Sequence, residues 1–333
     1  MAVYYRPLMQ TGPTRPAGAL PIAGGWGWAT HAERLERKRA AEVVPVSEIP
    51  DALRAGLTAP RPDLCGLTLD TPRLMGILNV TPDSFSDGGL YLAPDAAVAR
   101  ARAMATEGAE ILDIGGESTR PGAAEVDVVE EIRRTAPVIG AVAGIGPRIS
   151  IDTRKAPVAE AALSAGAAMV NDVAALSFDA ALAPLVAAAG APVCLMHAQG
   201  TPATMQAAPH YEDVLLDVYD FLQSRVAVAE AAGIKRARII VDPGIGFGKT
   251  LEHNISLLQG LSLFHGLGCP ILLGASRKRF IGTISGAETA PARMPGSVAI
   301  ALAAVAQGVQ ILRVHDIQPT WQALALWRAA TGI

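Results

Sequence analysis

The stretch Met75-Gly76-Ile77-Leu78-Asn79-Val80-Thr81-Pro82-Asp83-Ser84-Phe85-Ser86-Asp87-Gly88-Gly89 changes character halfway along. Ile77, Leu78 and Val80 suit a strand buried on both faces, whereas Pro82 cannot donate to a sheet ladder and Gly88-Gly89 permits sharp turns. Asn79, Thr81, Asp83 and Ser84 therefore fall at or just past the C-terminal end of a strand. Ligands of α/β folds bind at such ends, so the fold turns on whether the arrangement repeats.

From Arg73 onward the same transition recurs, each apolar run closing on polar or glycine residues and leading into an alanine-rich stretch. The runs are Leu74–Val80, Ala109–Ile114, Arg148–Ile151, Ala168–Val170, Pro192–Met196, Ala237–Val241, Pro270–Leu273 and Val309–Val314. Helical segments lie between them at Ala96–Glu107, Val128–Ala143, Pro157–Ala165, Ala180–Ala188, Tyr211–Ala232, Asn254–Leu261 and Val298–Ala306. Gly108, Gly166, Gly190, Gly233 and Gly308 stand where C-caps belong. Strands alternating with helices in this way require a parallel sheet. Eight units over roughly 250 residues match an α/β fold of the (β/α)8 TIM-barrel type, with an open doubly wound sheet as the alternative.

Residues 1–60 read as an N-terminal extension, a partly ordered arm ahead of a barrel domain at 61–333. Its charged run spaces Glu33 and Arg37 as on a solvated helix face. Trp26 and Trp28 mark either a piece docked on an apolar surface or a loose arm. Cys65–Leu69 is expected as a short strand turning into the next one and closing one end of the domain.

The 333 residues are 50% hydrophobic, enough for a large core. With 18% charged residues, a net charge of −3 and no dense basic cluster beyond the short N-terminal run, the chain lacks a nucleic-acid or membrane-surface footprint. Cys65, Cys194 and Cys269 are odd in number and unpaired in spacing, which fits a reducing compartment. With no bilayer-length apolar run and no leader pattern at the N-terminus, the expected location is the cytoplasm.

The chemistry sits after the runs: Asn79 and Asp83; Asp113, Glu117, Thr119 and Arg120; Asp152 and Arg154; Asn171 and Asp172; His197; Asp242 and Lys249; Ser276, Arg277 and Lys278; Arg313, His315 and Asp316. One such Asp is an ordinary helix N-cap, but charges at the ends of all eight strands exceed what capping needs. Gly244-Ile245-Gly246-Phe247-Gly248-Lys249-Thr250 ends like a phosphate-binding loop but has Pro243 where that motif needs glycine. It reads instead as a loop whose backbone approaches a ligand. His197 and His315 lack zinc-like spacing. Asp152, Asn171, Asp242 and Lys278 supply the donors and acceptors that a flat, nitrogen-rich heterocycle demands. Arg120, Arg277, Arg313 and His315 suit an anionic group.

Several stretches, in order, carry a resemblance: Met75–Gly89, Gly108–Gly122, Ile149–Arg154, Val170–Val173, Asp242–Lys249, Ser276–Lys278 and Arg313–Asp316. Over residues 62–333 the chain resembles the dihydropteroate synthases, a pterin-binding family of the folate pathway. The resemblance implies a (β/α)8 barrel that joins p-aminobenzoate to (7,8-dihydropterin-6-yl)methyl diphosphate with release of pyrophosphate. It assigns Asp152, Asn171, Asp242 and Lys278 to the pterin, and Thr119, Arg313 and His315 to the diphosphate. Asn79 becomes the protein ligand of a Mg2+ cofactor, Phe85 and Pro121 flank the aminobenzoate ring, and Arg120, Phe247 and Ser276 join the substrate site. Asp83, Asp242 and Lys278 are the implied catalytic residues. The loops Thr81–Gly89 and Glu117–Gly122 are expected to close over the second substrate, and a homodimer through the later helices is implied. Arg279 departs from the family pattern, in which Ser is common. The competing readings are a methyltetrahydrofolate:corrinoid methyltransferase, which should lack the Asn79–Phe85 and Glu117–Gly122 loops, and a non-catalytic paralogue, which should have lost a loop or pocket residue.

Overall fold

The charged run near residue 35 pairs across strands, not along a helix. Five strands precede the barrel: β1 (Tyr4–Pro7), β2 (Leu20–Pro21), β3 (Trp28–Ala29), β4 (His31–Leu35) and β5 (Glu42–Pro45). β1, β4 and β5 form an antiparallel sheet with β4 in the middle. Glu33 lies opposite Arg6 and pairs with it at 2.7 Å, and Arg34 lies opposite Glu42 and pairs with it at 2.5 Å. Of the two charges whose spacing suggests a helix, Glu33 is thus satisfied across the sheet, and Arg37 lies past the end of β4. The computed structural model describes residues 2–81, 89–118, 123–200, 205 and 208–332.

After helix α1 (Asp51–Thr58), eight parallel strands make the barrel: β6 (Arg73–Asn79), β7 (Ile111–Gly115), β8 (Arg148–Asp152), β9 (Met169–Asp172), β10 (Val193–Met196), β11 (Ile239–Asp242), β12 (Leu272–Leu273) and β13 (Ile311–Val314). They run in the order β11-β10-β9-β8-β7-β6-β13-β12. A parallel bridge from Val241 to Ile271 joins the two ends, so the sheet closes and the doubly wound alternative is excluded. The intervening helices are α2 (Gly89–Thr106), α3 (Val128–Val142), α4 (Ala156–Ala165), α5 (Leu182–Ala189), α6 (Val214–Ala231), α7 (Leu251–Gln259), α8 (Arg279–Ser285), α9 (Met294–Ala306) and α10 (Ile317–Thr331). Gly166 and Gly190 end α4 and α5 with left-handed backbone at φ 116° and 62°.

Because side chains alternate along a strand, every second barrel residue faces inward. Met75, Ile111, Met169, Cys194, Ile240, Leu272 and Ile311 form one buried apolar layer with Leu64 and Leu69. Those two leucines come from a tight turn in which Leu64 and Leu67 exchange backbone hydrogen bonds of 2.9 Å. A single bridge thus replaces the short strand anticipated at Cys65–Leu69, yet the segment still closes the barrel's N-terminal end. Two residues further along the strands four of the seven inward positions are polar, Asp113, Asn171, Asp242 and Arg313, beside Ile77, Met196 and Gly274. The interior therefore passes from apolar to charged within one step of the pleat.

The extension packs against the barrel's outer helices. Trp26, 5% exposed, donates from Nε1 to the Val305 carbonyl at 2.8 Å. The Tyr4 hydroxyl donates to Asp220 on α6, while Arg37 pairs with Asp217 at 2.5 Å and with Asp220 at 2.7 Å. Buried Arg61 donates to the carbonyls of Gly56, Ala59 and His265. Trp26→Ala removes a buried indole and its hydrogen bond together. Unfolding in urea should show a loss of about 3–5 kcal/mol, and an unchanged midpoint would mean that this contact contributes nothing.

Candidate active site at the C-terminal mouth of the barrel

The backbone register sets the site before any side chain is considered. Asn79, Gly115, Asp152 and Asn171 are consecutive partners across β6, β7, β8 and β9, and Asp242 lies opposite Met196 at the ends of β11 and β10. These residues stand at or next to the C-terminal ends of β6, β7, β8, β9 and β11, around one opening.

Arg313 organises this layer. Its Nε donates to Asp113 Oδ2 at 2.5 Å and a terminal nitrogen donates to Asp152 Oδ2 at 2.7 Å. Asn171 Nδ2 donates to the same Asp113 oxygen at 2.9 Å. Asp113 Oδ1 and Ser150 Oγ, opposite each other in the β7–β8 register, are buried with no protein partner among the described residues. Polar atoms left in this way at the floor of a pocket suit a ligand with its own donors and acceptors.

On the far side, Asp242 Oδ1 accepts the Gly244 N–H at 2.7 Å. Gly274 lines this side, where a Cβ would make only ordinary contacts, 3.7 Å from Asp242 Oδ2 and 3.8 Å from the Arg313 side chain. The Lys278 ammonium donates to the Ile245 carbonyl and lies 4.5 Å from the centre of the Phe247 ring, a cation–π contact. Ser276 Oγ accepts the backbone N–H of His315 at 3.2 Å and lies 3.1 Å from its Nδ1. The Ser276 hydroxyl can donate to Nδ1 or accept from it, so this contact fixes the ring's position and serves either tautomer.

Three carboxylates, Asp113, Asp152 and Asp242, here face two cations, Arg313 and Lys278. Burial raises the Asp152 carboxyl above its ordinary range; Arg313 opposes the rise and Asp113 adds to it. Burial likewise raises Asp242, against the pull of Lys278 and the Gly244 N–H. Burial lowers Lys278 to about 8, with Asp242 opposing. Burial also works against the Arg313 charge, but Asp113 and Asp152 outweigh it and hold the guanidinium protonated.

Of the residues singled out from sequence, Asp152, Asn171, Asp242, Lys278, Phe247, Ser276, Arg313 and His315 meet in this mouth, and half-buried Asn79 ends β6 on the same level. Asp83, Phe85, Thr119, Arg120 and Pro121 lie outside the described residues. Asp113 reads from the sequence only as a strand-end residue, although it bonds both Arg313 and Asn171; its mid-strand place between Leu112 and Ile114 is the signal that marks it. Arg277, read as a partner for an anion, is engaged by Asp316 at 2.9 and 2.5 Å. Arg279 is exposed at the first position of α8. Glu117 is taken up by Arg154 and Lys155, each at 2.6 Å.

For a divalent cation, the described residues contain no cluster of three His, Cys, Asp or Glu side chains. Asn79 offers one hard amide oxygen at the rim. That suits Mg2+ where water and a substrate phosphate complete the octahedron.

A closed parallel barrel with a polar floor and a cationic rim at its C-terminal mouth defines a TIM-barrel protein built to hold a polar heterocycle beside an anion. The family model described as pterin binding enzyme matches residues 75–315, and the chain belongs to that family. It is 51% identical over 264 residues to the dihydropteroate synthase of Neisseria meningitidis serogroup C, covering 78% of this chain and 93% of the relative. The Escherichia coli K12 dihydropteroate synthase is 47% identical, covering 79% and 93%. Among solved structures, Xanthomonas albilineans dihydropteroate synthase with 4-aminobenzoic acid superposes with a TM-score of 0.77 at 49% identity, covering 82% of this chain and 99% of that one.

The Asp113→Asn variant leaves the Arg313 guanidinium with one full counter-charge in place of two. Equilibrium unfolding should register a loss of about 3 kcal/mol. A wild-type midpoint would show that Asp152 alone satisfies the arginine.

Proposed function

We infer that the chain catalyses the dihydropteroate synthase reaction: p-aminobenzoate displaces pyrophosphate from (7,8-dihydropterin-6-yl)methyl diphosphate to give 7,8-dihydropteroate. The observation that carries this reading is the polar layer of Asp113, Asp152, Asn171, Asp242, Lys278 and Arg313 at the mouth of a barrel about half identical to named synthases. A second Xanthomonas albilineans structure, 47% identical with a TM-score of 0.75, is that of the enzyme in complex with 7,8-dihydropteroate. A Yersinia pestis relative, 44% identical, was solved as a sulfonamide drug complex, which makes this chain a sulfonamide target on the same reading. These relatives favour the synthase over a corrinoid methyltransferase or a non-catalytic paralogue.

The roles proposed for individual residues follow from their chemistry. Asp152, Asn171 and Asp242 accept from and donate to the edge of the pterin, and Lys278 addresses its carbonyl and ring nitrogen. Arg313 and His315, with Thr119, face the diphosphate, and Ser276 holds the His315 ring in place. Arg120, Phe85, Pro121 and Phe247 form the aminobenzoate side, with Asp83 beside the reacting atoms. Asn79 would hold Mg2+, which when bound supplies positive charge to the leaving pyrophosphate. The bond between the methylene carbon and the diphosphate oxygen breaks first, the electron-rich pterin spreads the developing positive charge, and the aromatic amine adds to the methylene and releases a proton. The protein needs no nucleophile of its own; it orients the amine and neutralises the departing charge. Asp242, accepting from the ring, stabilises that charge. Loops 81–89 and 117–122 are proposed to close over the amine and exclude water. A homodimer is proposed through the later helices, where Trp321 and Leu326 of α10 are exposed. Three free thiols support a reducing, cytoplasmic setting.

Pyrophosphate release that requires Mg2+, the pterin diphosphate and p-aminobenzoate together tests the reading. Release without the amine would mean hydrolysis, and no release would leave a binding protein. Asp242→Asn should lower turnover at saturating substrate at least tenfold, about 1.4 kcal/mol of barrel-borne charge stabilisation; unchanged turnover would remove its role. Because Lys278 loses its proton near pH 8 in the folded protein, kcat/KM should fall as pH rises through about 8. Lys278→Arg, whose guanidinium stays charged, should abolish that alkaline limb.

A further inference from the structure

Behind the Asp242 loop lies a buried lysine to which the reaction gives no task. Lys249, 3% exposed, places its Nζ 2.8 Å from His197 Nδ1, 3.0 Å from the Phe247 carbonyl and 3.4 Å from the His197 carbonyl. The His197 ring faces away from the barrel's interior: it meets Phe221 of α6 edge-on at 4.7 Å and Tyr211 at 5.9 Å. Lys249 and His197 thus stand in the layer between barrel and helices, outside the pocket. Burial pushes the Lys249 amine well below the ordinary lysine range, with Asp242 opposing, and burial together with the facing Lys249 lowers the His197 imidazole to about 2.

The loop they support is anchored on every side. Gly244 has φ +68°, and a Cβ there would lie 1.8 Å from the His197 carbonyl oxygen, so the loop rests directly on β10's end. Gly246 N–H donates to Asn254 Oδ1 at 2.6 Å, and the Tyr211 hydroxyl donates to the Gly248 carbonyl at 2.7 Å. Lys278 grips the Ile245 carbonyl from the pocket side, while Lys249 grips the Phe247 carbonyl from behind. Between the two lies the Phe247 ring that carries the Lys278 ammonium at 4.5 Å.

We propose that Lys249, braced on His197, is a positioning residue: it fixes the Phe247 peptide so that the ring holds Lys278 at the heterocycle. This rests on the synthase reading, in which Lys278 binds the pterin. The test uses the full chain with Mg2+ and compares wild type, Lys249→Met, Lys278→Met and the double variant for pterin-diphosphate affinity by calorimetry and for melting temperature. Lys249→Met should weaken pterin binding at least tenfold, and the double variant should bind within threefold of Lys278→Met alone, because the first loss acts through the second residue. Wild-type affinity in folded Lys249→Met, or losses that multiply in the double variant, would overturn the proposal, since a purely structural lysine changes melting without this coupling. If Lys249→Met yields no cooperative melt, His197→Gln, which removes the brace and keeps the lysine, carries the same comparison and the same criteria. A wild-type chain that binds no pterin diphosphate would overturn the synthase reading as well.

Discussion

One guanidinium shared between two carboxylates is the constraint on which the mouth of this barrel depends. Arg313 reaches from β13 past β6 to Asp113 on β7 and Asp152 on β8. That span crosses four neighbouring strands, so the order in which they pair and the assembly of the site are coupled. Ion pairs buried this deeply add little net stability over apolar packing, because desolvation opposes the attraction. What the cluster contributes is fixed orientation: the acceptors at the floor are held by a group that cannot lose its charge.

The surrounding structure exists to make that cluster tolerable. One pleat step below it, Met75, Ile111, Met169, Cys194, Ile240, Leu272 and Ile311 seal the interior with the Leu64 and Leu69 turn. Water is thereby kept from the lower barrel, and the low-dielectric base strengthens each contact above it. Around the outside, the extension's sheet ties α6 and α9 through Arg37, Tyr4 and Trp26.

The barrel and the mouth were legible in the sequence because both follow from short-range periodicity. Apolar runs ending in Asp, Asn or Arg mark inward positions at strand ends, and Asp152, Asn171, Asp242 and Arg313 all sit where that rule puts them. What escaped was set by partners far away in the chain. Glu33 is satisfied by Arg6 across a sheet and Arg37 by Asp217 and Asp220 on α6, so the helical spacing of Glu33 and Arg37 misled. Asp113 reads as one more strand-end acid until Arg313, 200 residues on, is seen to bind it. Lys249 reads as the tail of a discarded phosphate motif, and only the packing of His197 against Phe221 shows that it points behind the pocket.

The turn at Leu64–Leu67 has a kinetic consequence. By stopping the lower end it makes the barrel a cup with a single opening, at whose floor the acceptors for the heterocycle lie. On the proposed reaction, whatever occupies that floor has to arrive before anything that sits above it and leave after it. On that reading the expected order is pterin first and amine second on entry, with pyrophosphate ahead of the joined product on exit.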